Sequence, residues 1–208
     1  MQNRSKAIAW ACWALSIVAL PPPASADPTG PSAVRDVAVE HAKGVFRVFA
    51  DTVVAAPLED VEALLLDFEA ASRLNPSIRE SAVLGRAEGG GTRVRMRVRV
   101  CEFFVCRNLI RTEVVTREMP GLLRGVIEPE GTDFRWGTTE WRLSDRASGT
   151  RLIYTGAFEP DFWVPPLIGP PMIAHRLRDE LRVLVENLEV LAQARAAARS
   201  CKRNDGPC

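Results

Sequence analysis

Three side chains in this sequence could do chemistry beyond packing, and each has a plainer use. Histidine is the side chain best suited to acid/base work, but for His175 to do it the ring needs a partner that orients it. Asp179, four residues on, could pair with it only along a helix surface, so the expectation is an exposed or half-buried helix residue. Tyr154, the sole tyrosine, sits in a strand-like run. Its hydroxyl could hydrogen-bond a ligand, or its ring could pack while the hydroxyl reaches a backbone carbonyl; both readings stand. Glu140 lies between Thr139 and Trp141, and strand alternation leaves its face open. Its seven-residue spacing from Asp133 is not diagnostic of a carboxylate pair, so structural use is the expectation. No catalytic residue is assigned.

The chain contains no nucleophile elbow, phosphate-binding glycine loop, dinucleotide fingerprint or HExxH string. Gly89-Gly90-Gly91 reads as a turn between strands, because no helix follows it. His41 and His175 are the only histidines, and no cofactor or metal is expected. Arg93, Arg95, Arg97 and Arg99 alternate with Val94, Met96, Val98 and Val100. The arginines must share one strand face and the apolar residues the other. The arginine face could hold an anionic head group or membrane, or it is simply the solvent side of the strand; the cost of desolvating four unpaired guanidinium groups favours solvent.

The ends of the chain set the compartment. Arg4 and Lys6 precede an apolar run from Ala7 to Leu20, a proline break and Ala24-Ser25-Ala26, the layout of a secretory signal peptide with Asp27 as the new N-terminus. The 14-residue run is shorter than the roughly 20 residues that cross a bilayer as a helix. Cys12 lacks the leucine three positions upstream that a lipidated cysteine would show. Residues 1–26 are therefore expected to be removed, and the protein to be periplasmic or secreted. The whole chain has 27 basic and 26 acidic residues, two of the basic ones in the leader, so no surface for nucleic acid is implied.

In an oxidising compartment Cys101, Cys106, Cys201 and Cys208 favour two disulfides, with three possible pairings. The local one is expected: Cys101 and Cys106 flank a hairpin-length loop, and Cys201 and Cys208 enclose the turn-forming Asn204-Asp205-Gly206-Pro207. A zinc site would show tighter paired spacing and more histidines.

The elements that must position these residues follow from the periodicity. Residues 27–43 read as a leader and linker, the Pro-, Gly- and Ser-rich part being 27–35. A first strand runs from Gly44 to Val54, and a helix over 58–68 begins after Pro57, with Glu59, Asp60 and Glu62 near its positive end. A short helical turn stops before Pro76. Strands follow over 78–86, 92–100, 107–118, 122–128, 134–143 and 150–159, about seven in all. The five prolines of 160–171 make a stiff connector that holds Phe162 and Trp163. A long amphipathic helix spans about 172–198, and a polar tail closes the chain at 199–208.

This order of elements resembles the START-like superfamily, which includes the polyketide cyclase/dehydrase-like and coenzyme Q-binding START-type domains. Specific positions carry the likeness: Ala56-Pro57 closing the first strand, Val61 and Asp67 in the first helix, and Asn75-Pro76 before the second strand. Gly131 to Gly137 leading to Trp141 and Leu143, and Gly149-Thr150-Arg151-Leu152 with Tyr154, add to it. The resemblance covers residues 44–192, and the domain is drawn at 44–198. It implies an α+β helix-grip fold, a curved antiparallel sheet around the C-terminal helix, with an apolar cavity between them. It also implies a hydrophobic small-molecule partner, a lipid, quinone or polyketide-like compound, with transient membrane contact and no nucleic acid. On this reading Met96, Val98, Trp141, Tyr154, Phe158, Leu177 and Leu181 contact the ligand, with Phe162 and Trp163 as a lid or membrane-touching tip. The alternative is a cyclase/dehydratase-type enzyme, which requires Tyr154, Glu140 or His175 to converge in the cavity.

Overall fold

A computed structural model describes residues 36–102 and 105–203. Eight strands form one wholly antiparallel sheet: β1 (Asp36–Ala42), β2 (Val45–Val54), β3 (Ile78–Arg86), β4 (Thr92–Glu102), β5 (Val105–Met119), β6 (Leu122–Glu128), β7 (Phe134–Arg146) and β8 (Gly149–Pro160). Their order across the sheet is β1-β2-β8-β7-β6-β5-β4-β3. The helices are α1 (Leu58–Leu65), α2 (Ala71–Leu74), preceded by a 3-10 turn at Phe68–Ala70, and α3 (Gly169–Arg203). This is the α+β helix-grip arrangement, with α3 held in the hollow of the sheet.

Several strands run one to three residues beyond the sequence reading, β7 to Arg146 among them, and four further differences each have a local reason. The sequence reading places residues 36–42 in the linker, yet Val37 and Val39 alternate with Ala38 and Glu40, and the segment pairs with β2 across a turn at Lys43 and Gly44, both with positive φ. Two residues in that conformation match the twist of paired strands. The eighth strand is thus β1. The predicted helix over 58–68 ends at Leu65, where Leu66 and Asp67 bond back to Glu62 and Leu64 in place of a further turn. At the connector, α3 starts at Gly169, three residues before the predicted Met172. Pro170 and Pro171 sit in its first turn, where amide hydrogens have no helical acceptor to lose. The helix also continues into the expected tail, as far as Arg203.

One end of the hollow is closed. Val54, Val61, Leu143, Leu152, Val185 and Leu188 form a buried core between α1, the ends of β2, β7 and β8, and the second half of α3. Acidic groups buried here all have partners. Glu62 accepts from Arg117 and from the Gly121 amide at 2.9 Å, and Asp60 accepts from Arg199. Glu189 accepts from the Ala55 amide at 3.0 Å. Side chains of α1 and α3 thereby bond backbone and strands that the apolar core alone would hold less specifically. No helix among the described residues is long and apolar enough to cross a membrane.

Candidate ligand-binding site

The other end of the hollow is open. Between the concave face of the sheet, the first half of α3 and the connector 161–168 lies a cavity of about 690 Å³. Strand alternation builds its walls. Met96, Val98 and Val100 of β4 face it, as do Trp141 of β7 and Tyr154 and Phe158 of β8; Leu177, Leu181 and Leu184 of α3 form the opposite side. Trp141 packs on Tyr154 with ring centroids 4.4 Å apart, and Phe134 meets Phe158 edge-on at 5.6 Å.

The connector forms the rim. Phe162 and Trp163 line the cavity, and the Arg107 guanidinium stands 4.8 Å from the Phe162 ring centroid, a cation–π contact between connector and β5. Arg107 follows Cys106, which is disulfide-bonded to Cys101 directly opposite it on β4. The second expected pair includes Cys208, which lies outside the described residues. Outward from the rim, Trp163, Leu167 and Ile168 are 77%, 91% and 62% exposed.

All nine residues expected to contact a ligand therefore line this one cavity. The three chemical candidates do not meet there. Only Tyr154 lines it. His175 is on the outside of α3, its side chain 75% exposed, with Nε2 3.2 Å from Asp179 Oδ2. Glu140 points to the convex face, where Arg124 and Arg142 bond it and hold its carboxyl below the usual range. Asp133 accepts from the Ile110 amide at 2.6 Å, a structural use. The arginine ladder also faces outward, with Arg93 bonded to Glu128 and Arg97 3.1 Å from Glu80.

Sequence reasoning missed the polar groups that do point inward. Arg111 lines the cavity, and one of its terminal nitrogens bonds Glu113, which is 5% exposed. Burial pushes the Tyr154 hydroxyl above its ordinary range, Arg111 offsetting part of the rise and Glu113 adding to it. A second polar group at the wall joins α3 to the start of β3: Asn75 Nδ2 donates to Glu180 at 2.5 Å, Ser77 Oγ donates to Glu180 at 2.7 Å, and Arg176 donates to Ser77 Oγ at 2.9 Å. Doublets such as Leu109-Ile110 and Val114-Val115 hide which face Arg111 takes. The cysteines held the signal: a hairpin pairing Cys101 with Cys106 sets Met96 opposite Arg111, and so puts Arg111 on the apolar side of β4.

Residues 45–193 match the family model described as polyketide cyclase / dehydrase and lipid transport. The chain belongs to that family. Among solved structures, this family member is similar to a START superfamily protein from Mycobacterium smegmatis, with 20% identity and a TM-score of 0.57 over 71% of this chain and 97% of that one. It is similar to a STAR-related lipid transfer protein from Xanthomonas axonopodis, with 15% identity and a TM-score of 0.55 over 73% and 98% of the two chains. The Zhui aromatase/cyclase from Streptomyces sp. R1128 aligns at 18% identity and a TM-score of 0.52 over 79% and 99%. At these identities the likeness is one of fold. No curated protein matches the chain.

Proposed function

We propose that the protein is an exported carrier that holds a hydrophobic small molecule between sheet and α3 and exchanges it past the connector. The observation that carries this reading is the cavity itself: a deep apolar hollow of ligand size, rimmed by aromatic side chains, in a chain whose closed end is packed solid. The cysteine pair on the β4–β5 hairpin accords with an oxidising compartment. Exposed Trp163, Leu167 and Ile168 at the rim suit brief contact with a membrane, where an apolar ligand would enter or leave with little exposure to water.

The cyclase/dehydratase reading is the weaker one. Glu140 and His175 lie outside the cavity, the Glu113 charge is compensated by Arg111, and the raised Tyr154 hydroxyl is a poor acid at neutral pH. Native mass spectrometry of protein purified from its export compartment, followed by solvent extraction, tests the carrier. An apolar adduct that is lost on extraction is expected. An apo mass, together with no binding of a neutral fluorescent probe such as N-phenylnaphthylamine, would overturn it.

A further inference from the structure

Three neighbouring strands place a row of small residues across the cavity floor: Gly125 of β6, Thr139 of β7 and Gly156 of β8 stand directly opposite one another in register. The glycines are there for space. A Cβ on Gly156 would stand 2.6 Å from Tyr154 Oη, and one on Gly125 would stand 2.4 Å from Thr139 Oγ1 and 3.0 Å from Glu113 Oε2. The Tyr154 hydroxyl, the Thr139 hydroxyl and the Arg111–Glu113 pair are thus folded down over one patch of the sheet wall, apart from the Asn75–Glu180–Arg176 group on the α3 side.

This patch is rich in donors and has no net charge. Neither hydroxyl has a hydrogen-bond partner among the described residues; Arg111 Nε has none either, but it is itself buried and not open to a ligand. The guanidinium charge is already answered by Glu113. A carboxylate placed here would meet Glu113 and no uncompensated cation, whereas a neutral oxygen that only accepts would find donors and meet no opposing charge.

We propose that the carrier's ligand is an apolar molecule bearing a neutral carbonyl oxygen, a ketone, quinone or ester, seated on the Tyr154 and Thr139 hydroxyls beside the Arg111–Glu113 pair, with its apolar body extending toward Phe162 and the rim. This assignment rests on the carrier reading and narrows it to a ligand class and an orientation.

Displacement of N-phenylnaphthylamine from the exported chain tests it, with three phenanthrenes that differ only in carrying an ethyl, an acetyl or a carboxylate group. At one net hydrogen bond, the acetyl compound is expected to compete at about fivefold lower concentration than the ethyl compound. Tyr154→Phe combined with Thr139→Val should bring the two level without weakening the ethyl compound. Tyr154→Phe alone keeps the comparison available if the double variant does not fold. Equal competition by ethyl and acetyl in the unaltered protein overturns the carbonyl assignment and leaves the carrier standing. Stronger competition by the carboxylate overturns it too, because the patch would then be reading charge. If the fluorescent probe does not bind at all, the carrier reading itself falls.

Discussion

The two halves of α3 see opposite interiors. Val185, Leu188 and Ala192 are buried in a continuous core with α1, and the acidic side chains beside them all have bonded partners. Leu177, Leu181 and Leu184, on the same stripe a few turns earlier, line the cavity, where Leu181 packs on Val48 and Ala50 with Leu177 against that small cluster, and polar groups that lack protein partners stand across from them. Sheet, helix and periodicity are shared by both ends. What differs is α1, which fills one end of the hollow, while the other is roofed only by a proline-stiffened connector. Stability and binding are thereby assigned to different ends of one helix, and substitutions along α3 should separate them.

Leu188→Ala removes a side chain with no exposure and should cost about 3 kcal/mol of unfolding free energy in urea titration. Leu177→Ala, which enlarges a cavity already present, should cost less than about 1 kcal/mol and instead alter probe affinity. Equal costs would break the comparison, because they would mean that the open end is collapsed and packed in solution.

Loss of the Cys101–Cys106 bond comes next. For so short a loop, chain-entropy arguments give about 2 kcal/mol, as an upper figure where the hairpin persists without it. The bond also pins the register that sets Arg107 and Arg111 on the cavity face. Replacing both cysteines with serine should therefore speed probe release by more than the stability change explains, as measured by stopped-flow dilution. An unchanged release rate would show that the hairpin register holds by itself.

The elements that alternate cleanly were legible in the sequence. Val94 to Val100 assigned its apolar side without ambiguity, and Met96 and Val98 are on the cavity wall as that pattern requires. The helical stripe of α3 placed Leu177 and Leu181 in the same way. What stayed hidden were faces on strands where alternation breaks. Glu140 sits among Thr138, Thr139 and Trp141, a sequence compatible with either side, and turns outward to two arginines supplied by β6 and β7. Arg111 turns inward because its pairing with Met96 across the β4–β5 hairpin, and not the alternation along β5, decides its face. β1 was masked by its attachment to a proline- and glycine-rich leader, although its own residues alternate.

Glu62 offers a smaller test at the closed end. Burial raises its pKa, but bonds from Arg117 and the Gly121 amide outweigh that and hold the carboxyl below the usual range. A folded pKa below the unfolded one contributes stability that is fully present above the unfolded carboxylate range and is lost as pH falls through the folded value. Stability should therefore be level near neutrality and decline below about pH 5. Glu62→Gln should lower it by about 1 kcal/mol at pH 7 and flatten part of that acid decline. Asp51, held down chiefly by its hydrogen bonds from Arg151, should account for a share of what remains. An acid decline identical to that of the parent protein would mean that Glu62 is not ionised in the fold.

The least effect on stability is expected where the exposed apolar area is greatest. Leu167 and Ile168 are mostly exposed at the rim, Ile168 only edging the cavity, so replacing both with serine should leave the unfolding midpoint within error. If the rim touches a bilayer, the same change removes two side chains that would enter it. Sedimentation with neutral phosphatidylcholine vesicles should then fall by about tenfold or more. Neutral vesicles matter, since the outward arginines of β4 would attract an anionic surface by charge alone and obscure the contribution of the rim. Unchanged sedimentation would detach the rim from the membrane and leave it as a lid over the cavity. A shift in the unfolding midpoint would instead show that the connector packs more firmly than its exposure indicates, and would narrow the difference between the two ends of α3.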